Sequence, residues 1–288
     1  MKFPFIKMNG AGNDFVVLDA RKNPEILNFE QVRAIARRDN AVTQGCDQVI
    51  MLEPSSEADV FMRIYNANGG EVDACGNATR CVADLLEKEL GRLPVTIQTN
   101  VGILRGIKKA VQAGREYTLV DMGLPRLLWN EIPLAIKADT LRLPVATGLA
   151  GASEACCVSM GNPHAIFFME QLPADEDVAR VGKAMEDDQN LFPEGVNVTF
   201  AKIHPTLAGS AAAAIEAKVW ERGAGMTKAC GTAACATLVA ASRLGLIGDI
   251  RKAGVGFPGG ILQVSWQGDD HVLLGGEIIR EFDGIINV

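Results

Sequence analysis

Cys75 and Cys230 stand in matching surroundings. Residues 63–79 (RIYNANGGEVDACGNAT) and 218–234 (KVWERGAGMTKACGTAA) superpose without a gap at an offset of 155 residues. The offset places Gly70 on Gly225, Ala74 on Ala229, Cys75 on Cys230, Gly76 on Gly231 and Ala78 on Ala233. Tyr65 meets Trp220 and Arg63 meets Lys218. A repeat this far apart marks two homologous halves rather than a short solenoid period. Ala78, Val82, Leu85 and Leu86 follow the first cysteine at helical spacing, so each cysteine falls at or just before the first turn of a helix.

At that position a thiol meets unpaired backbone amides and the positive end of the helix dipole. Both lower its pKa and make thiolate available near neutrality. The same amides can hold a carboxylate. Two such thiols presented to one small carboxylate ligand from opposite sides could remove a proton from one face of a carbon and deliver one to the other face. The thiolate would act as base and the thiol as acid, which is racemisation or epimerisation. The amides would meet the charge that builds on the carboxylate as the α-carbon loses its proton. This scheme needs no pyridoxal-type lysine, and no cofactor is expected.

Other chemistry-bearing residues have plainer readings. Cys46, Cys81, Cys156, Cys157 and Cys235 lack the helix-start placement and read as core or surface thiols. The Cys75–Cys81 and Cys230–Cys235 spacings are not the short pairs of a zinc ribbon, so no metal is expected. His164, in a Gly-Asn-Pro-His loop, is either a satisfied structural histidine or a support for catalysis. Asn13, Asn66, Asn162 and Asn197 could be turn residues; the pairing of Asn13 with Asn162 at an offset of 149 favours ligand contact. The stretch at 254–259 (GVGFPG) fits a dinucleotide-binding glycine pattern, but Pro258 and the strand-like 261–266 deny it the helix such a site requires. A turn is expected there.

The elements that must carry these residues repeat as well. Short strands are expected over 3–8 and 15–19, around the glycine-rich turn 9–14 (NGAGND), followed by a helix over 29–38 and strands over 48–52 and 60–65. A helix over 75–88 precedes strands over 95–98, 103–107 and 117–121. Residues 124–154, with three prolines and no clean period, read as a connector holding at most one strand or short helix. Strands over 157–160 and 165–169 then surround a GNPH loop (161–164), followed by a helix over 175–185, strands over 196–203 and 214–220, and a helix from Cys230 to Gly245. Strands over 261–266, 272–274 and 277–281 close the chain. Meanders dominate, so the fold class expected is α+β, each half a mostly antiparallel sheet around a central helix. The expected domains are residues 1–122 with the C-terminal strand 277–288, and residues 123–276.

A formal net charge of −7 over 288 residues, without a strong basic cluster, argues against nucleic acid as a partner. No apolar run near the N-terminus suggests a secretory signal, and the longest weakly polar run, 208–217, falls well short of a membrane span. Seven cysteines, an odd number, do not suggest a disulfide framework. A cytoplasmic protein without membrane partners is expected.

The sequence also resembles the diaminopimelate epimerase family over nearly its whole length. The resemblance rests on KMNGAGNDF at the start, GCDQ at 45–48, YNANGGEVDACGN at 65–77, MGNPHA at 160–165, GVN at 195–197, and WERGAG with ACGT near the end. It implies a cofactor-independent isomerase that interconverts the LL and meso forms of diaminopimelate on the route to lysine and peptidoglycan. It further implies two pseudo-symmetric halves, each a β-barrel-like sheet around a central helix, with the active site in the cleft and the last strand returning to the first half. By this resemblance Cys75 and Cys230 are the acid–base pair, supported by His164 and Glu221. Gly76, Asn77, Gly231 and Thr232 hold the reacting carboxylate, and Glu221 with main-chain groups near Asn66 takes the reacting ammonium. Asn13, Asn66, Asn162, Asn197 and Arg222 read the distal amino-acid end, with Gln48 lining the site; a buried Arg222 would grip a carboxylate in a bidentate fashion. The expected partner is the small-molecule substrate, with a homodimer left open.

The chain departs from the family pattern at Asn68, where aspartate is usual, at Gly70, where serine or threonine is usual, and at Thr43-Gln44, where Ile-Gly or Val-Gly is usual. Two rival readings stand beside the resemblance. One is another cofactor-free amino-acid racemase or epimerase, although Cys75 and Cys230 lack the Cys-Gly-His form of proline racemases. The other is a ligand-binding or redox-sensing protein in which the two cysteines pair. The two motif copies differ where a two-ended substrate would need it: Asn66 stands opposite Glu221, and Ala67 opposite Arg222.

Overall fold

The computed structural model describes residues 2–22, 26–73, 75–112, 115–205 and 212–287. Ala74 of the first motif copy and positions 208–211 of the weakly polar run lie outside the described residues. The chain divides into two compact units, Met1–Asp121 with Gly275–Val288, and Met122–Leu274.

The first unit opens with a hairpin of β1 (Lys2–Gly10) and β2 (Asn13–Asp19), in which Gly10 faces Asn13. The two-residue turn between them has positive φ at both Ala11 and Gly12, the backbone twist that joins antiparallel strands without splaying them. Helix α1 (Phe29–Ala36) starts on a capping box of Asn28 and Gln31 and leads to β3 (Gln48–Glu53), which lies parallel to β2. β4 (Val60–Asn66) pairs antiparallel with β3, and β5 (Glu71–Val72) with β4. Helix α2 (Gly76–Leu90) crosses over to β6 (Val95–Thr99), parallel to β4, and β7 (Gly102–Gln112) and β8 (Arg115–Asp121) complete an antiparallel meander. α2 packs against β1, β6, β7 and β8 and buries Asn77, Thr79, Arg80 and Asp84 along with its apolar residues. It is therefore a core helix rather than a surface one.

The second unit runs through the same order. After the connector, which contributes β9 (Leu143–Pro144), come the antiparallel β10 (Glu154–Ser159) and β11 (Pro163–Phe168). Helix α3 (Asp175–Glu186) leads to β12 (Asn197–Ile203), parallel to β11. β13 (Ala213–Glu221) and β14 (Gly225–Thr227) follow, antiparallel in turn. Helix α4 (Gly231–Arg243) crosses to β15 (Lys252–Phe257), parallel to β13, which pairs antiparallel with β16 (Gly260–Trp266). Nearly every residue of α4 is buried, against β10, β11, β12, β15 and β16. β17 (Val272–Gly276) precedes β18 (Ile278–Asn287), which pairs antiparallel with β1 from Lys2↔Asn287 to Gly10↔Ile278, inside the first unit.

Two details differ from expectation. The glycine pattern at 254–259 is mostly strand, with Gly254, Val255, Gly256 and Phe257 in β15 and the turn confined to Pro258–Gly259. Gly254 lies opposite Gln263, so a glycine-rich stretch is tolerated because its backbone is fully paired in the ladder. The connector carries little regular structure, yet Ile132, Leu134, Leu143 and Ala152 enter the core around Phe167, Phe192 and Phe200. Burial rather than backbone pattern orders it. Close packing also fixes Gly182 on α3, where a Cβ would come within 2.3 Å of Trp220 Cγ.

Candidate active site

In each unit the strand pair β4–β5 or β13–β14 delivers the chain to the start of the buried helix, and the residue at that junction is the cysteine. Cys75 is the N-cap of α2 with φ −145° and ψ 113°, and Cys230 is the N-cap of α4 with φ −131° and ψ 122°. The extended backbone of an N-cap aims the side chain across the helix end, where the first-turn amides point away from the helix's own carbonyls. Gly76–Asn77 and Gly231–Thr232 supply those turns.

The surroundings of the two thiols differ. Cys75 is half-buried, and its Sγ lies 3.9 Å from Asn13 Oδ1, at the start of β2. Asn13 is held from behind: its Nδ2 donates to Asp47 Oδ2 at 2.8 Å, and the Asp14 amide donates to the same oxygen at 3.1 Å. Arg38 ion-pairs with both Asp14 and Asp47, and the buried Lys7 ammonium lies 2.6 Å from Asp14. Arg38 and Lys7 hold the Asp14 carboxyl well below the usual carboxylate range against its own desolvation. Gln48 and Asn66 face each other across β3 and β4, with Gln48 Nε2 donating to Asn66 Oδ1 at 2.9 Å. Asn77 is buried and its Oδ1 accepts from Arg80 Nη2 at 2.9 Å.

Cys230 is buried, with 5% of its surface exposed. Its thiol sits 3.4 Å from Thr232 Oγ1 and feels the charge of the nearby Glu221 carboxylate. Thr227 Oγ1 donates to Glu221 from the other side. Asn162 Nδ2 donates to Thr232 Oγ1 at 3.4 Å, and His164 Nε2 lies 3.0 Å from Asn162 Oδ1. Because that amide oxygen only accepts, His164 carries its proton on Nε2. Burial of His164, aided by the Arg222 charge, lowers its pKa to about 3, so it is neutral near pH 7. Asn197 is engaged at both ends, donating to the Pro163 carbonyl at 2.8 Å and accepting from the Arg222 amide at 3.0 Å.

Two expectations change here. Cys230 is not an acidified thiol: desolvation, followed by the charge of Glu221, pushes its pKa well above the usual value and outweighs the helix end. The unit therefore presents Cys230 as S–H, the acid form. Arg222 is exposed rather than buried, with Nη1 donating to the Glu194 carbonyl at 2.6 Å. The family departures have local explanations. Asn68 Oδ1 accepts from the Gly70 amide at 2.9 Å, a bond an aspartate oxygen would also make. Thr43 Oγ1 donates to the Ile35 carbonyl at 2.7 Å, and Gln44 takes φ 57° where the usual glycine would be unstrained.

Asp47, Arg80 and Thr227 escaped sequence reasoning. Asp47 adjoins Gln48, and Arg80 falls one helical turn after Asn77, so spacing alone could have flagged both. Thr227 had no such signal, since its repeat counterpart is the apolar Val72.

Among solved structures, the whole chain superposes on a phenazine biosynthesis protein of the PhzF family from Bacillus anthracis, with a TM-score of 0.65, 16% identity and full coverage of both chains. It also superposes on a hydroxyproline epimerase from Agrobacterium vitis, with a TM-score of 0.60 and 15% identity over 99% of this chain and 91% of that one. The fold is thus the one these proteins share, and each unit of this chain carries a cysteine at a helix start. The sequence model described as diaminopimelate epimerase matches residues 5–128 and 156–279. Diaminopimelate epimerases of Rhodospirillum centenum and Phenylobacterium zucineum are 48% and 49% identical. The first alignment covers 97% of this chain and 91% of the relative, the second 98% and 96%. The chain belongs to the diaminopimelate epimerase family.

Proposed function

We propose that this protein is an isomerase that interconverts LL- and meso-2,6-diaminopimelate by proton transfer at one α-carbon, without a cofactor. The observation that carries the reading is the placement of a cysteine at the N-cap of the central helix in each unit, inside different polar settings. One thiolate takes the α-proton and the other thiol returns a proton to the opposite face. The Gly76–Asn77 and Gly231–Thr232 turns receive the α-carboxylate and meet the charge that develops on it. Glu221, with the main chain near Asn66, takes the reacting ammonium. Asn13, Asn66, Asn162, Asn197 and Arg222, with Gln48, read the distal end. Exposure of Arg222 suits a side chain that must reach a ligand carboxylate.

The same reading places the protein in the cytoplasm, as a step toward lysine and peptidoglycan precursors, with the small molecule as its partner and neither nucleic acid nor membrane. The seven cysteines are free thiols, as a reducing compartment keeps them. Among the described residues no helix is long and apolar enough to cross a membrane.

The test is isotope exchange. In D2O the reduced protein, with no added cofactor, is expected to introduce deuterium at the α-carbon of LL- or meso-diaminopimelate while interconverting them. Absence of exchange, or equal activity on proline or hydroxyproline, would sink the assignment.

A further inference from the structure

Glu221 accepts from the Thr227 hydroxyl and interacts with the Cys230 thiol, and the two come from different elements. Cys230 opens α4, whereas Thr227 ends the short strand β14 and faces Val219 across the ladder. Beside them His164 donates to Asn162 and Asn162 to Thr232, whose hydroxyl lies 3.4 Å from the Cys230 sulfur, while Thr227 donates to Glu221. An ionised carboxylate only accepts, so the Thr227 hydroxyl, which donates to it, favours the ionised form of Glu221. We infer that Thr227 is a positioning residue for the reaction, one that holds Glu221 ionised and aimed so that the carboxylate presents Cys230 as a thiol.

Burial works against that state, and the two interactions work for it. Desolvation raises the Glu221 pKa, while Thr227 and Cys230 lower it. The other titratable or charged groups around this end of β13 are Arg222 in the turn just after it, the neutral His164 on β11, and Glu186 on α3, which accepts from Trp220 Nε1 and the Gly223 amide. Arg222 turns its guanidinium to the Glu194 carbonyl. Thr227 is thus the side chain whose removal takes a donor from Glu221 without touching a thiol or a charge.

The consequence rests on the function proposed above. When the substrate ammonium occupies the Glu221 carboxylate, the charge that held the thiol protonated is neutralised and its S–H is released toward the α-carbon. Thr227 keeps the carboxylate in place through that exchange of partners.

Thr227→Val removes the hydroxyl at constant shape, and Thr227→Ser restores it. Carboxyl infrared difference spectra of the substrate-free protein, with the Glu221 band assigned by its loss in Glu221→Gln, give the first readout. Thr227→Val is expected to protonate Glu221 at a pH about one unit higher, the scale of a lost hydrogen bond to a charged group, and Thr227→Ser to return it. Turnover gives the second: kcat is expected to fall roughly ten- to a hundred-fold in Thr227→Val with recovery in Thr227→Ser. An unchanged Glu221 titration in Thr227→Val, or a serine variant as displaced as the valine one, overturns the inference. The infrared arm needs no substrate, so its failure is separate from a failure of the epimerase assignment.

Discussion

Asn13 donates its amide N–H to Asp47 at 2.8 Å, and that bond decides which end of the amide faces Cys75: the oxygen, 3.9 Å from Sγ. An oxygen at that position accepts from a thiol and opposes a thiolate. Asp47→Asn can still offer an oxygen to Asn13, whereas Asp47→Ala cannot, and the amide is then free to turn its N–H toward the sulfur. In a Cys230→Ala background, Cys75 is the half-buried thiol among buried ones. Its alkylation by iodoacetamide at a fixed pH near 7 is expected to be about ten-fold faster in Asp47→Ala than in Asp47→Asn. Equal rates would show that Asp47 does not set the orientation.

Cys75→Ala and Cys230→Ala are each expected to lower turnover by at least a hundred-fold, the lower end of what a lost acid or base costs. Circular dichroism and thermal midpoint should stay close to those of the parent, because both cysteines are N-caps without a side-chain capping bond. A single alanine variant that still turns over would refute the two-base scheme.

His164 makes stability depend on pH in a defined direction. Its pKa is about 3 in the folded protein and 6.5 when free, so the unfolded chain binds more protons between those values. The His164 contribution to stability is therefore complete above about pH 6.5 and is lost progressively as pH falls toward 3, at up to about 1.4 kcal/mol per pH unit. Urea midpoints at pH 7 and pH 4.5 should differ less in His164→Gln than in the parent. The same difference in both would remove His164 as the cause.

Gly182→Ala forces a methyl to within 2.3 Å of Trp220 Cγ, and neither α3 nor β13 can shift without disturbing the core around Phe200. A loss of at least about 1–3 kcal/mol is expected, the usual cost of overpacking. Chemical denaturation measures it directly, and an unchanged midpoint would mean that the helix gives way.

Much of the arrangement was legible in the letters. The repeat at offset 155 identified two like halves and put a cysteine at each helix start, because helical spacing and an N-cap position are local properties that sequence carries. The same repeat held a signal for the strand Lys252–Phe257 that spacing alone passed over: this strand follows α4 as Val95–Thr99 follows α2. Val255 and Phe257 alternate with glycines and are buried, but glycine inside a strand weakens the signal, and the ladder partners make the strand plain.

The polar detail around the thiols is of another kind. Sequence gave equal grounds for expecting both cysteines to be acidified, since both stand at helix ends. At Cys230 the structure overturns that expectation, because desolvation depends on how much protein surrounds the sulfur and Glu221 lies near it. By itself the sequence determined the duplicated scaffold, the cysteine pair and the family. Only the tertiary structure decided that Cys230 is held as a thiol, that Asp47 turns the amide beside Cys75, and that Thr227 holds Glu221. Each depends on groups distant in sequence or on opposite sides of a turn, and burial and hydrogen-bond direction come into being only when the chain is packed.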